Sequence, residues 1–207
     1  MKVILVNGSP HENGCTYTAL CEMEKEFNAN GIDTEIFWIG NKPVSGCIGC
    51  GACRKIGKCC IDNDTVNPFV ELAKGADGFI FGSPVHFASA GGAITAFMDR
   101  AFYSGKSAFM GKPAANIVSC RRGGASAAFD QLNKYFTISS MPVVSSQYWN
   151  QVHGNRPEEV LQDEEGIQTV RILARNMAWL LKCIEAGKAQ GIDFPEPEKP
   201  VRTSFIR

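Results

Sequence analysis

Short apolar runs alternate with helical segments along the chain, and this alternation is the feature that most constrains the fold. The first run, residues 3–6, is Val-Ile-Leu-Val and ends at the turn sequence Asn-Gly-Ser-Pro of residues 7–10. A run without alternating polar residues is typical of a strand buried on both faces, as in a parallel sheet. Similar runs predict strands at residues 34–39, 78–81, 114–119 and 142–149.

Helices are expected between these strands, at residues 16–28, 65–74, 92–103, 125–136 and 164–186. Strands that alternate with helices build βαβ units, so we expect an α/β fold with a doubly wound, five-stranded parallel sheet in the order 2-1-3-4-5. The last helix carries apolar residues at three- and four-residue spacing. This stripe predicts a core-facing surface, with a docking face for a partner helix as the alternative.

A single domain is expected for a chain of 207 residues. We place it at residues 1–190, with a Cys-rich insertion at 40–64 that is longer than connections usually need and is therefore expected to be functional. Residues 191–207 form a Pro-rich tail. This tail is expected to be extended, either frayed or lying as an arm on a neighbouring subunit.

Composition argues against several classes of protein. The chain carries 21 Lys and Arg against 21 Asp and Glu, so its formal net charge of zero offers no electrostatic basis for binding nucleic acid or an anionic membrane. The longest uncharged stretch, residues 78–98, contains Ser-Pro and Gly-Gly pairs and is not expected to span a membrane. Because no secretory signal is apparent, we expect a cytoplasmic protein whose nine cysteines stay reduced.

The loop after the first strand, residues 8–16, is a candidate phosphate site. It lacks the Gly-Lys-Ser/Thr ending of a P-loop and differs from the G-x-G-x-x-G pattern. It nevertheless leads into a helix, whose free N–H groups and dipole favour a phosphate at the N-terminus. Ser9 and Thr16 offer hydroxyl donors and His11 a charge-assisted donor. The alternative is a tight turn before a helix with Thr16 as its N-cap residue.

The loop after the third strand, residues 82–92, is a candidate site for a flat ring. In such a sheet the carboxyl ends of the strands share one edge, and ligands bind where the crossovers diverge, between strands one and three. No charged residue lies between Asp77 and Asp99, the glycines allow close backbone approach, and Phe87 offers apolar surface. Ordinary turn chemistry, and a surface or core position for His86, are the alternatives.

The insertion carries the sharpest local pattern, Cys47-x-x-Cys50-x-x-Cys53, followed by Cys59 and Cys60. Compact runs of this kind wrap thiolates around an iron–sulfur cube. The charged residues from position 40 to 61 are all basic and would offset the negative charge of such a cluster. The alternatives are a structural zinc site with four cysteines, a dithiol redox pair, or a loop without metal.

Two motifs together carry a family resemblance. Gly8-Ser9-Pro10…Gly14-x-Thr16, combined with Gly82-Ser83-Pro84-Val85-x-Phe87…Asp99-Arg100, resembles the NAD(P)H-dependent FMN reductase branch of the flavodoxin-like superfamily over residues 1 to about 150. The resemblance implies an FMN cofactor. It places the FMN phosphate among Ser9, His11, Gly14, Cys15, Thr16 and Tyr17, one side of the isoalloxazine at Ser83, Pro84, Val85, His86 and Phe87, and its other side at Ser119, Arg121, Gly123 and Gly124.

This chain departs from the usual pattern of that family at three of these positions. His11 stands where the family often has Arg, Cys15 where it often has Asn or Ser, and His86 where Tyr is common. The cysteine spacing in turn resembles the iron–sulfur flavoproteins, a subgroup that carries a [4Fe–4S] cluster beside FMN. The resemblance implies Cys47, Cys50, Cys53 and Cys59 as cluster ligands, with Cys60 as a substitute for the last.

The function that follows is an FMN-dependent oxidoreductase that accepts a hydride from NADH or NADPH and passes electrons to a small-molecule or protein acceptor, through the cluster or directly. The step needs no protein acid or base. Arg121 and Arg122 are candidates for binding a nucleotide phosphate or for a place beside the flavin, or they form a solvated turn. The alternatives are a non-enzymatic FMN and iron–sulfur electron carrier, and a redox or metal sensor. Family resemblance also implies a homodimer or homotetramer.

Overall fold

The fold is built on a parallel sheet with helices on both faces. In the computed structural model, which describes residues 1–203 and 205, the sheet follows the order β2-β1-β3-β5-β6. The short strand β4 pairs antiparallel with the end of β3, so the five parallel strands have the predicted doubly wound order. The strands are β1 (Lys2–Asn7), β2 (Asp33–Trp38), β3 (Gly78–His86), β4 (Ser89–Ala90), β5 (Ala114–Cys120) and β6 (Gln151–His153).

The five predicted helices are present within one to three residues of their expected bounds, and three short helices join them. The long helices are α1 (Cys15–Ala29), α3 (Val66–Lys74), α4 (Gly92–Ser104), α6 (Ala125–Ile138) and α8 (Glu164–Ala189). The short ones are α2 (Cys53–Ile56) inside the insertion, α5 (Lys106–Phe109) and α7 (Pro157–Gln162). None of the helices in the described part of the chain is both long and apolar enough to cross a membrane.

Two apolar cores lie on opposite faces of the sheet. Successive residues of β1 alternate between them: Ile4 and Val6 belong to the core that α3, α4 and α6 cover, whereas Val3 and Leu5 belong to the core under α1 and α8. All four side chains are fully buried. This double burial explains why the strands read as continuous apolar runs, and the stripe of α8 packs into the second core as predicted.

The fifth parallel strand differs from its predicted position at residues 142–149. Val143 forms only an isolated bridge with Ala114, and the chain then leaves the sheet. The two serines at positions 145 and 146 lie against α8, and the Ser146 hydroxyl donates a hydrogen bond to the Thr169 carbonyl of that helix at 2.6 Å. The chain rejoins the sheet at β6 after Asn150. Tertiary hydrogen bonds to α8 therefore override the local strand preference.

The tail has no helix or strand in residues 192–203, as its prolines predicted. Its first part packs on its own chain, because a Cβ added to Gly111 would lie 2.9 Å from Cγ of Phe194. Of the expected extended segment 191–207, residues 204, 206 and 207 lie outside the described part of the chain.

A buried arginine fastens the insertion to the fold. Arg100 of α4 is 1% exposed and forms an ion pair with Asp64 at the end of the insertion. Its guanidinium also donates to the carbonyls of Ser45 at 3.3 Å and Ile61 at 2.6 Å, and to Sγ of Cys59 at 3.2 Å. Burial opposes the charge, but the Asp64 and Cys59 bonds outweigh it and raise the pKa of Arg100 above its usual value.

The carboxyl ends of β1 and β3 meet at two glycines. The Gly8 amide donates to the Gly82 carbonyl at 2.9 Å. A Cβ on Gly8 would lie 2.6 Å from that carbonyl oxygen and 2.7 Å from Cβ of Ile94, closer than packed atoms approach. The first loop therefore needs glycine where it leaves the sheet.

Substitution of Gly8 tests this close approach. We expect Gly8→Ala to lower the free energy of unfolding by about 1–3 kcal/mol, because Gly82 and Ile94 must shift to admit the methyl group. Gly92→Ala is the matched control, since a Cβ there meets nothing within 4 Å and we expect a change below about 1 kcal/mol. Urea unfolding followed by circular dichroism measures both, and equal values would contradict the packing argument.

Removal of the Asp64 carboxylate tests the arginine clamp. We expect Asp64→Ala to cost about 3–5 kcal/mol of unfolding free energy, because it leaves the buried Arg100 charge without its partner. The exposed pair between Lys58 and Asp62 provides the control: Lys58→Ala should leave the free energy of unfolding nearly unchanged, because solvent screens that pair. A loss at Asp64 no larger than at Lys58 would show that the insertion does not depend on the clamp.

Candidate functional site

The first loop is held by a buried asparagine at the end of β1. Asn7 accepts a hydrogen bond from the Ser9 amide at 3.1 Å and donates from Nδ2 to the Glu12 carbonyl at 2.9 Å. The Ser9 hydroxyl accepts from the His11 amide at 3.1 Å, and Trp38 donates to the Ser9 carbonyl at 2.8 Å. Ser9 is buried and His11 is exposed. The loop therefore has a defined shape before any ligand binds.

Helix α1 begins directly behind this loop. Gly14 is its N-cap residue and contributes no side chain, so the capping role considered for Thr16 is wrong. Thr16 lies in the first turn, where it is 1% exposed, and its hydroxyl meets that of Ser119 from β5 at 2.8 Å. A pair of hydroxyls uses only one of its two hydrogens internally. The other stays available to an acceptor at the helix N-terminus, together with the free amides of the first turn.

Two neighbouring side chains of α1 are directed elsewhere. The Cys15 thiol donates to the Gly154 carbonyl at 3.6 Å, and burial raises the pKa of Cys15. Tyr17 has Cys21 one turn along the helix as its neighbour, and interaction with that thiol raises the pKa of Tyr17. The backbone of both residues belongs to the first turn of α1, beside the loop, whereas their side chains have the partners just named.

The loop after β3 is a tight hairpin. Val85 pairs with Ala90 and His86 with Ser89, so Phe87 and Ala88 form a two-residue turn. Their φ angles are +51° and +59°, values that normally require Gly or Asn and store strain when other residues adopt them. The Phe87 side chain stands fully exposed at the tip.

Hydrogen bonds to two polar side chains, Ser83 and Gln131, hold this hairpin in place. The buried Ser83 hydroxyl accepts a hydrogen bond from the Gly91 amide at 3.1 Å. The side-chain oxygen of Gln131, from α6, accepts from the Ser89 hydroxyl at 2.6 Å and from the Ala90 amide at 3.0 Å. A strained turn with such support is typical of a site that is shaped for a ligand.

The loop after β5 contacts the hairpin directly. Gly124 has a φ of +89°, and a Cβ on it would lie 2.5 Å from Cα of Ala88. Arg121, Arg122 and Gly123 are exposed on this loop. Cys120, just before it, is buried, and burial raises the pKa of its thiol, so we expect it to remain protonated near neutral pH.

The three loops thus converge at the edge where β1, β3 and β5 end. The first and third loops meet through Gly8 and Gly82, and the hairpin meets the β5 loop through Gly124. Buried hydroxyls of Ser9, Thr16 and Ser119 lie at a helix N-terminus, and a largely uncharged hairpin lies beside them. This donor set fits a phosphate joined to a flat, neutral ring, as FMN is.

The insertion forms a second site, a cavity of about 460 Å³. Five cysteines line it, together with the side of α4 that carries Asp99, Arg100 and Tyr103. The cysteines are Cys47, Cys50, Cys53, Cys59 and Cys60.

Four of the five thiols have identified neighbours. Cys59 accepts from Arg100 at 3.2 Å, and Cys53 lies 3.8 Å from the Tyr103 carbonyl. The sulfurs of Cys50 and Cys60 are 3.4 Å apart. The Ala52 backbone, and after it the Cys60 thiol, donate toward the Cys50 sulfur and lower the pKa of Cys50. The pKa of Cys60 is raised, because its thiol is the donor in this pair.

The chemistry of this cavity suits thiolate coordination. Five thiols share one cavity with a guanidinium donor, and this set fits a cysteine-bound iron–sulfur cluster. Within residues 1–203 and 205, no three His, Cys, Asp or Glu side chains are arranged to hold a metal ion. The predicted ligands therefore share a cavity, and the structure does not gather them around a common point.

Helix α4 connects the two sites. It begins directly after the hairpin, and its residues from Asp99 onward line the cysteine cavity, about 10 Å further along the helix axis. Asp99 accepts a hydrogen bond from Tyr135 at 2.6 Å, and burial together with this bond raises the pKa of Tyr135. One rigid helix thus fixes the spacing between the loops and the cavity.

Several residues that shape these sites have no role in the predictions from sequence, and Arg100 enters those only as part of the family motif. Asn7 and Trp38 organise the first loop, and both end strands at the same edge of the sheet. Arg100 lies on the face of α4 that carries Phe97 and Ala101, both buried. A lone arginine on an otherwise apolar helix face was the signal that could have identified it.

Comparisons with known proteins agree with this arrangement. An iron-sulfur flavoprotein of Methanocaldococcus jannaschii is 32% identical over 197 residues, which cover 89% of this chain and 100% of that protein. An iron-sulfur flavoprotein of Methanosarcina thermophila is 29% identical over 196 residues, covering 91% of this chain and 99% of its own length.

Solved structures support the fold. An NADH:FMN oxidoreductase in its apo form superposes with a TM-score of 0.63 at 18% identity, covering 86% of this chain and 89% of that chain. At this identity the likeness concerns the fold alone. The profile of the family described as NADPH-dependent FMN reductase matches residues 1–155, which contain all three loops and the cysteine cavity. The chain therefore belongs to the NADPH-dependent FMN reductase family of oxidoreductases, as its paired loop motifs predicted.

Proposed function

We propose that this protein binds FMN at the three converging loops, takes a hydride from NADH or NADPH, and holds a [4Fe–4S] cluster in the cysteine cavity. The observation that carries the proposal is the buried hydroxyl pair of Thr16 and Ser119 at the α1 N-terminus, beside a strained, uncharged hairpin. Family membership supports the flavin, and the two relatives, both iron-sulfur flavoproteins by name, support the cluster.

In the proposed site the first loop holds the phosphate. Ser9 and the one free hydroxyl hydrogen of the Thr16–Ser119 pair donate hydrogen bonds, and the free amides of the first turn of α1 add backbone donors. His11 stands exposed at the rim, where it can approach the phosphate from solvent. A Cβ on Gly14 would lie 3.0 Å from Cβ of His11, so glycine at this position lets the His11 side chain keep its place beside the helix N-terminus.

The hairpin and the β5 loop receive the ring. Pro84, Val85 and the exposed Phe87 offer apolar surface, while the contact at Gly124 keeps the two loops at a fixed separation. When bound, FMN supplies the hydride-accepting ring, so the protein needs to orient two rings and needs no acid or base. The exposed Arg121 and Arg122 provide positive charge for the phosphates of a nicotinamide nucleotide.

In the cavity, Cys47, Cys50 and Cys53 supply three proposed ligands and Cys59, with Cys60 as its substitute, the fourth. A bound cluster supplies one-electron transfer. Arg100 donates to Cys59 and carries positive charge at the cavity wall, which favours an electron-rich cluster. An electron carrier that does not react with nicotinamide, and a sensor without turnover, are the other outcomes that the experiments below distinguish.

The hydroxyl pair is tested by FMN affinity. The double variant Thr16→Val with Ser119→Ala removes the donor that the hydroxyl pair offers to a charged phosphate, a loss of about 1.5–3 kcal/mol, so we expect Kd for FMN to rise roughly 10- to 150-fold. Thr18→Val is the control, because that hydroxyl bonds the Gly14 carbonyl within the helix. Fluorescence quenching of FMN measures both, and equal affinity for the double variant and the unmodified protein would refute the phosphate assignment.

The division of labour between the sites is tested by a double variant, Cys50→Ser with Cys53→Ser, in which Cys60 cannot replace both ligands. We expect iron and sulfide to fall from about four per chain to background, since too few thiolates remain. FMN content and anaerobic flavin reduction by NADPH in stopped flow should stay within about twofold, because hydride uptake involves the other site.

Cys183→Ser is the control for this variant, because Cys183 is exposed on α8 and lies outside the cavity. It should keep both the iron and the flavin reduction. The assignment of roles would be wrong if the double variant kept FMN and lost its reduction by NADPH.

A further inference from the structure

We propose that Cys50 and Cys60 form a redox-active dithiol that closes to an intramolecular disulfide when the insertion holds no metal. Their sulfurs are 3.4 Å apart, and both residues are exposed. A disulfide bond is about 2.05 Å long, so closure needs a movement of only about 1.4 Å.

Two of the remaining thiols of the cavity, Cys53 and Cys59, have other partners, which favours the pairing of Cys50 with Cys60 over pairings that use them. Cys59 accepts the hydrogen bond from Arg100, and Cys53 contacts the Tyr103 carbonyl. Both are less exposed than Cys50 and Cys60. Adjacent cysteines such as Cys59 and Cys60 therefore differ in their environment, and the arginine holds only the first of them.

The backbone on the Cys50 side has room to move when the bond between Cys50 and Cys60 forms. Gly51 and Gly57 flank the short helix between the two cysteines, have φ values of +66° and +73°, and would meet nothing within 4 Å if they carried a Cβ. Both ends of the short helix therefore have open space at their glycines into which the chain can shift. On the other side, the buried Asn67 bonds both the amide and the carbonyl of Cys59 at 2.9 Å, which holds the chain just before Cys60.

The chemistry is thiol–disulfide exchange with a low-molecular-weight disulfide. The thiolate of one cysteine attacks a sulfur of that disulfide, breaks its S–S bond and releases one thiolate, which leaves a mixed disulfide on the protein. The thiolate of the second cysteine attacks the protein sulfur of the mixed disulfide and releases the second small thiolate. Two protein thiols are oxidised, one disulfide is reduced, and the two protons lost by the cysteines end on the two released thiols.

The consequence for metal binding rests on the proposed function. Cys50 is a proposed ligand and Cys60 a proposed substitute, so a disulfide between them removes both from coordination. The empty insertion would then be protected against random oxidation and would accept a cluster only after reduction. A loaded insertion would in turn keep Cys50 from forming the disulfide.

Mapping the disulfide tests the pairing in the full-length chain. After a chelator and dithiothreitol have removed bound metal, and circular dichroism has shown the chain to be folded, the protein is equilibrated with oxidised glutathione, quenched in acid, alkylated and digested with trypsin. Cleavage after Arg54 and Lys58 separates the two cysteines, so their link joins two peptides. We expect free thiols to fall from nine to seven, and fragmentation to identify Cys50 and Cys60 in the linked pair.

Matched variants complete the test. Cys60→Ser should abolish the link, whereas Cys59→Ser and Cys47→Ser should leave it. A link that uses Cys47, Cys53 or Cys59 instead, or glutathione adducts without any internal link, would overturn the proposal. Protein that carries iron should form the link at least tenfold more slowly, and equal rates would refute the competition with metal.

Iron, sulfide and FMN are assayed in the same preparation before metal removal. Their absence would count against the proposed function, while the disulfide map of the metal-free chain still decides the pairing. The two failures are therefore distinguishable.

Discussion

The meeting of β1 and β3 through the amide of Gly8 and the carbonyl of Gly82 is the constraint on which the functional edge depends. These two strands lie side by side at the centre of the doubly wound sheet, and their loops diverge to opposite faces. Without side chains at the crossing, the first loop and the hairpin approach each other closely enough to share one ligand. The Thr16–Ser119 hydroxyl pair then joins the third loop to the same edge.

A second constraint, the buried Arg100, connects the insertion to this edge. The guanidinium reaches four separate points of the insertion, and α4 carries it at a fixed distance from the hairpin. A buried arginine is costly to desolvate, so a hydrophobic residue would suit this apolar helix face better unless the guanidinium had a separate role. We infer that this role is to hold the cysteine cavity beside the flavin site and to distinguish Cys59 from its neighbour Cys60.

The sequence predicted the fold well where burial on both faces leaves a local signature. β1 and β3 appear as apolar runs ended by turn residues, and the strand order follows from alternation with helices. It predicted the fifth strand in the wrong place, because Ser145 and Ser146 bond to α8, a partner that no local pattern indicates. The sequence likewise predicted that the cysteines share one site, but not which neighbour each thiol has. The partner of Cys59 is Arg100, about 40 residues further along the chain, and no local pattern links the two.

We propose that this one chain combines a flavin that reacts with nicotinamide and a thiolate-bound cluster. The most direct measurement is the absorption spectrum of the anaerobically purified protein, with iron and sulfide assays, before and after addition of NADPH or NADH. We expect flavin bands that bleach on addition, over a broad iron–sulfur absorbance with about four iron and four sulfide per chain. Flavin bands without iron would contradict the cluster, and a protein without flavin would contradict both the flavin site and the proposed reaction.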